Sequence, residues 1–396
     1  MKKRLRHVIV FATLKPFFRF FIYLRFRFRA KRFKPPKGVK GPYLIISNHA
    51  MAIDPFLVSL SFKEPIYYIA SDMIFSIPFV SPIIKYLVQP IPKTKYRSDM
   101  DTVKDTIKVI KSGGSVGLFP EGNATFHGEL MDVPFAVAKL IRLLKVPVLF
   151  YHIRGGYQTK PRWAKSRRVG KVHGEVNHLW TVEDYQHLKV DEIYQKLIEN
   201  LDIKNFKTQA SSLVKYKSNE RAMDIESAYY ICPECKAMHT IYSDKNIVAC
   251  TACDFKVEYT KEGFMKPLSN TKYFKTTYEW YGFQEKALYD YIKNCKNSAL
   301  IFEDNNENVL KVLRARKKLP LGKANLKLYK DRLEMHFKDT VESWPINVIQ
   351  SAVQQKNKLI LYHRKEEKTY YFLSHPKRNA LKYVLAIEKL NSKEAL

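Results

Sequence analysis

Between residues 41 and 205, short apolar runs alternate with stretches of helical spacing. "YLIIS", "IYYIAS", "GSVGLFP" and "VPVLFYHI" read as strands. "DTVKDTIKVIKS" carries apolar residues at 103, 107 and 110, a helical interval that Gly113-Gly114 ends. This alternation predicts an α/β layer structure, a sheet flanked by helices. Residues 206–228 are polar and weakly periodic and read as a linker. Beyond residue 270, "WYGFQEKALYDYIKN" has the spacing of an amphipathic helix. "NLKLYKDRLEMHF" alternates apolar and polar residues on both sides of Lys330-Asp331, a hairpin pattern, and "LILYHRKEEKTYYFL" repeats it. A last helix, opened by Pro376, closes the chain.

Charge changes this picture more than composition does. The 396 residues allow two or three domains, and the 46% apolar content is ordinary, but 69 Lys+Arg against 38 Asp+Glu leave a net +31. That excess calls for an anionic partner, a membrane surface or nucleic acid. Its placement favours the membrane. Residues 1–53 hold fourteen Lys/Arg and no acid, and in "FFRFFIYLRFRFRAKRF" the cations are threaded through large apolar residues. No run approaches the ~18 uncharged residues of a spanning helix. Residues 1–40 are therefore expected to be a basic amphipathic segment lying in the interface, peripheral on the cytoplasmic face of an anionic membrane. No small-residue cleavage site follows a compact apolar core, so a signal peptide is not expected. The plainer alternative is a basic face on a helix packed against the domain.

Four of the five cysteines, Cys232, Cys235, Cys250 and Cys253, form C-x2-C-x14-C-x2-C. Two such knuckles give four thiolates access to one tetrahedral Zn²⁺, so residues 229–262 are expected to be a zinc ribbon with a structural metal. Two disulfides are the alternative, disfavoured where nothing else suggests secretion. His239 lies nearby, but four cysteines already fill a tetrahedron. Cys295 reads as a buried core residue. In pattern, residues 270–396, antiparallel strands followed by a terminal helix, resemble a pleckstrin-homology-like α+β domain.

The chemistry lies in two strand exits. In "LIISNHAMAIDPF" (44–56) a buried strand ends at His49, with Asp54-Pro55 reading as the N-cap and first residue of a helix. In "GSVGLFPEGNATFHGE" (114–129) another strand runs into a polar, glycine-bearing turn. Ligands of α/β sheets bind beyond the carboxyl ends of strands, so both turns should open on one rim. A histidine there can take a proton from a hydroxyl, and Asp54 can hold its tautomer.

"NHAMAID" and "FPEG" match the N-H-x4-D and F-P-E-G motifs of the glycerophospholipid acyltransferase family in order, spacing and context; the resemblance spans roughly residues 40–170. It implies acyl transfer from acyl-CoA or an acyl-carrier protein to a lysophospholipid hydroxyl. His49 would then be the general base and Asp54 its orienting partner, with Glu121 and Gly122 on the acceptor side. Backbone N–H groups of the turn would hold anionic oxygen. "VQPIPKTKYR" falls where the family places a phosphate-binding arginine. Lys93 occupies the closest slot, with Lys95 and Arg97 beside it. "VPVLF" begins the V-P-x-x-P block, with Phe150 in place of its second proline. After F-P-E-G the family commonly continues Thr-Arg-Ser or Asn-Arg-Ser; this chain has Asn123-Ala124-Thr125 and so lacks that arginine.

Three functions compete. The first is a membrane-associated acyltransferase acting on a 1-acylglycerol-3-phosphate-like lysolipid. The second is acyl transfer to another lipid hydroxyl, a lyso-glycolipid or lyso-aminolipid, motivated by Ala124. The third is a non-catalytic zinc adaptor binding membrane or nucleic acid, which the intact His49/Asp54 pair argues against; nucleic acid is not the expected partner.

Overall fold

In the computed structural model, the four apolar runs become the heart of a seven-stranded sheet. The structure describes residues 2–71, 89–93, 99–296, 298–312, 318–354, 357–363, 370–375 and 379–392. The strands are β1 (Phe28–Ala30), β2 (Leu44–Ser47), β3 (Ile66–Ser71), β4 (Ile91–Lys93), β5 (Ser115–Leu118), β6 (Val148–Arg154) and β7 (Val172–Trp180). Their order is β1-β7-β6-β2-β5-β3-β4, and β2 lies parallel to both β5 and β6. The antiparallel β6–β7 pair makes the sheet mixed. All four residues of β2 are buried, as a central strand covered on both faces requires. Leu44, Ile46, Val116, Val148 and Phe150 meet the apolar stripes of helices Ala136–Leu144 and Val190–Leu201. Phe150, which stands where the family block has its second proline, is a core residue packed edge-on against Trp180.

The chain divides into two compact units, Met1–Arg162 with Arg167–Ser218, and Trp163–Ser166 with Asn219–Leu396. The second unit contains a four-stranded antiparallel sheet of β8 (Ile241–Asp244), β9 (Ile247–Cys250), β10 (Lys256–Tyr259) and β11 (Met265–Pro267). It continues through helix Thr277–Asn294 into seven antiparallel strands: β12 (Leu300–Val312), β13 (Lys318–Tyr329), β14 (Arg332–His336), β15 (Val341–Pro345), β16 (Ile349–Gln354), β17 (Lys358–His363) and β18 (Tyr370–Ser374). The antiparallel pairings expected around Lys330-Asp331 and within residues 359–373 are both present, β13 with β14 and β17 with β18. Helix Leu381–Asn391 closes the unit; Pro376, expected to start it, lies outside the described residues.

Several expectations need correction. Residues 206–228 are folded rather than a linker. Helix Asn205–Ser212 buries Phe206 and Gln209, Tyr216 donates to the Lys171 carbonyl, and Ala222, Ile225 and Ala228 are buried in the second unit. The few apolar residues of that window are each used, and average polarity hid them. The segments 229–262 and 270–396 are not independent. Trp280 Nε1 donates to the Ile231 carbonyl, and buried Lys382 pairs with Asp304 at 2.7 Å while facing His239. Asp54 is the first residue of helix α2 (Asp54–Ser59), and Ile53 is the N-cap. Cys295 is only partly buried, at the end of its helix.

The N-terminal segment forms one helix, α1 (Lys2–Phe26), running through Pro16. His7 and Ile22 are buried, Phe18 packs on Phe56 and Lys15 bonds the Phe62 carbonyl, which defines one seated stripe. Opposite it Phe17, Phe20, Phe21 and Leu24 are exposed among arginines. Basic and apolar residues share that outer surface instead of being sorted onto two faces, so amphipathic is the wrong description. By length and composition, Arg6–Phe26 is also long and apolar enough to cross a membrane.

Candidate active site

Because β2 and β5 are parallel neighbours, the turns that follow them emerge side by side. His49 Nδ1 lies 2.9 Å from Asp54 Oδ2. The same carboxylate oxygen accepts the backbone N–H groups of Ala50 at 2.6 Å and Met51 at 2.8 Å. Asp54 is 0% exposed, and His49 keeps 16% of its side chain open. A neutral ring that donates Nδ1–H to Asp54 Oδ2 carries its lone pair on Nε2. Pro55, at the second position of α2, has no N–H to satisfy, which suits the tight start that folds Asp54 back on its own turn.

Glu121 crosses between the turns. Its Oε1 accepts the His49 N–H at 2.7 Å and its Oε2 the Met131 N–H at 3.1 Å. At 9% exposure, with its oxygens on two backbone N–H groups, it ties the two turns together. Burial pushes its carboxyl up to about 8, against the opposing pull of the two N–H donors. Gly122 has φ +70 with open space where a Cβ would stand, so a turn that demands the left-handed region explains the glycine. The Gly122 N–H closes on the Phe119 carbonyl and the Thr125 N–H on the His49 carbonyl. Those two donors serve the turn and not a substrate oxygen.

Lys93 is the exposed end of edge strand β4, on the same rim but three strand spacings from β2, about 14 Å. That spacing does not bring its backbone beside His49. Arg97, with Lys95, lies outside the described residues. His127 and His152 are buried and held by backbone partners. Two further residues support the site. The Asn48 amide clamps both backbone groups of Ile153, tying β2 to β6 ahead of the histidine. Phe119 lies under the imidazole, ring centroids 4.7 Å apart, and stacks on Tyr68. Their signal was their place inside the motifs themselves.

In the second unit the Sγ atoms of Cys232, Cys235, Cys250 and Cys253 all lie within 4.8 Å of one another. The closest pairs are Cys232–Cys253 at 3.6 Å and Cys235–Cys250 at 3.8 Å. A disulfide needs about 2.05 Å. Four thiolates around a tetrahedral metal with ~2.3 Å bonds stand about 3.8 Å apart, and this set fits. His239 instead stacks on Tyr230 and faces Lys382.

Residues 25–151 match the Acyltransferase family. A 1-acyl-sn-glycerol-3-phosphate acyltransferase of Borreliella burgdorferi is 31% identical over 91 residues, 23% of this chain and 36% of that protein. A chloroplastic 1-acyl-sn-glycerol-3-phosphate acyltransferase of Brassica napus is 25% identical over 166 residues, 41% of this chain and 47% of that one. The crystal structure of the 1-acyl-sn-glycerophosphate acyltransferase of Thermotoga maritima aligns over 47% of this chain and 74% of its own, at 20% identity and TM-score 0.38. The chain thus spans between a third and a half of the curated relatives named here.

Proposed function

We propose, from the premise that residues 25–151 form an acyltransferase-family domain, that the protein moves a fatty acyl chain from an acyl thioester to the hydroxyl of a 1-acylglycerol-3-phosphate-like lysolipid. The His49–Asp54 contact, on the rim where the F-P-E-G turn also opens, carries this reading. His49 Nε2 takes the acceptor's proton as its oxygen attacks the thioester carbonyl, and buried Asp54 supports the imidazolium. Collapse of the tetrahedral adduct breaks the C–S bond, and the proton passes to the departing thiolate. Acyl-CoA and acyl-carrier protein both satisfy this chemistry as donors.

The four cysteines would hold a structural Zn²⁺, whose binding energy is folding energy for the second unit. From the strand and helix order of its last segment we read a pleckstrin-homology-like module there. The exposed Phe17, Phe20, Phe21 and Leu24 dock α1 on the cytoplasmic face of an anionic membrane. The seated stripe of His7, Lys15, Phe18 and Ile22 supports lying over crossing, because a helix held to its domain along one side cannot give all sides to lipid.

A second reading, acyl transfer to a lyso-glycolipid or lyso-aminolipid, is favoured by the uncharged Ala124 in the turn. Purified full-length protein with labelled acyl-CoA or acyl-carrier protein and a panel of the three lysolipid classes decides between them by product identity. No labelled diacyl product with any acceptor defeats the acyltransferase reading.

A further inference from the structure

The Ala124–Thr125 peptide is held from both sides. Its N–H donates to the His49 carbonyl at 3.0 Å, and its carbonyl accepts from Arg162 Nη1 at 3.4 Å. The Arg162 guanidinium lies 4.2 Å over the Phe126 ring. Summing the two bonds and the peptide's own width puts Nη1 at most about 9 Å from the His49 backbone oxygen. Thr125, between these two anchors, lines the small cavity on His49 together with Glu121. Arg162 comes from the segment after β6, beyond the family-matched residues 25–151. The turn itself carries no charge at 122–125; a cation reaches it from 38 residues along the chain.

We infer that Arg162 is the residue that recognises the acceptor's phosphate monoester and sets headgroup choice. The inference rests on the acyltransferase reading. A planar guanidinium offers five N–H donors, bonds phosphate in bidentate fashion and keeps its charge at any working pH. Stacked on Phe126 and tethered to Ala124, it is pre-oriented, so little side-chain freedom is lost when the ligand binds. Lys93, at the edge strand, is poorly placed for this task.

The test compares the full-length wild type with Arg162→Met, which keeps the packing over Phe126, and Arg162→Lys, which keeps the charge. Acceptors are 1-acylglycerol-3-phosphate and the same monoacylglycerol without phosphate, with direct binding of 1-acylglycerol-3-phosphate measured in the absence of acyl donor. Arg162→Met should lower the preference for the phosphorylated acceptor, as a ratio of kcat/KM values, by about 10–100-fold, mainly through KM. Arg162→Lys should recover part of it. Equal losses on both acceptors, or an unchanged ratio, overturn the inference. If the wild type acylates neither acceptor, the acyltransferase reading fails by itself. The binding arm then decides: a Kd for 1-acylglycerol-3-phosphate that Arg162→Met leaves unchanged overturns the assignment, and a weakening of about tenfold or more supports it.

Discussion

The backbone N–H of His49 donates to the Glu121 carboxylate at 2.7 Å, joining turns that lie 72 residues apart in the chain. The bond passes through the main chain of the histidine and leaves its imidazole to Asp54. That gives the acid a role that can be separated from chemistry.

Glu121 should make stability depend on pH. Its folded carboxyl is raised to about 8 by burial, against an ordinary value of 4.5. The unfolded state therefore binds fewer protons between those values. The contribution is complete below about pH 4.5 and is lost as pH rises through about 8, a change on the order of a few kcal/mol. Thermal unfolding of wild type and Glu121→Gln at pH 5, 7 and 9 measures it. The wild type should lose more Tm than the variant; parallel curves would show that Glu121 does not titrate there.

The dyad should separate into a base and its support. His49→Ala should lower acyl transfer by about 10²–10⁴-fold with the fold retained, because Asp54 keeps the Ala50 and Met51 N–H groups when the ring is gone. Asp54→Asn should cost less, since an amide oxygen can still accept the Ala50 and Met51 N–H groups while tautomer and charge support are lost. Near-wild-type turnover in His49→Ala would remove the proposed base.

The cysteine tetrad predicts one Zn²⁺ per chain. Metal analysis of protein purified without chelator should return close to one equivalent, and less than half would refute the site. Cys232→Ser or Cys250→Ser should loosen the second unit while transfer at His49 continues. Limited proteolysis beside an activity assay separates the two effects.

Membrane docking should be testable without removing α1, whose buried stripe makes deletion hazardous for the fold. Phe20→Ser with Phe21→Ser changes only exposed positions. Each buried aromatic contributes roughly 2 kcal/mol, so affinity for anionic vesicles should fall by at least tenfold. Flotation with vesicles reads this, and alkaline carbonate should release the wild type. Wild-type protein that stays in the carbonate pellet would mean that α1 crosses the bilayer.

Much was legible in the chain because it was local. Strand runs such as Leu44–Ser47 and Val148–Arg154, the helix at 99–111 and the hairpin at Lys330-Asp331 follow from periodicity and turn chemistry within a few residues. The same holds for the cysteine spacing and for His49 and Asp54, which lie close enough in sequence for one turn to bring them together. The window 206–228 failed for the opposite reason: Phe206, Tyr216 and Ile225 are sparse among polar residues, and only their distant partners show that they are core.

Sequence alone therefore singled out the proposed base with its carboxylate partner and a set of four thiols, since both are written in short-range spacing. Tertiary structure decided what each neighbour does. Glu121 became a backbone clamp and Lys93 was left at the sheet edge, because strand order, which no local pattern encodes, sets the distances across a rim. Arg162 came to the Ala124 turn by the same means. A side chain 38 residues away along the chain can take a place that the motif leaves uncharged, because the folded chain brings remote segments within hydrogen-bonding reach.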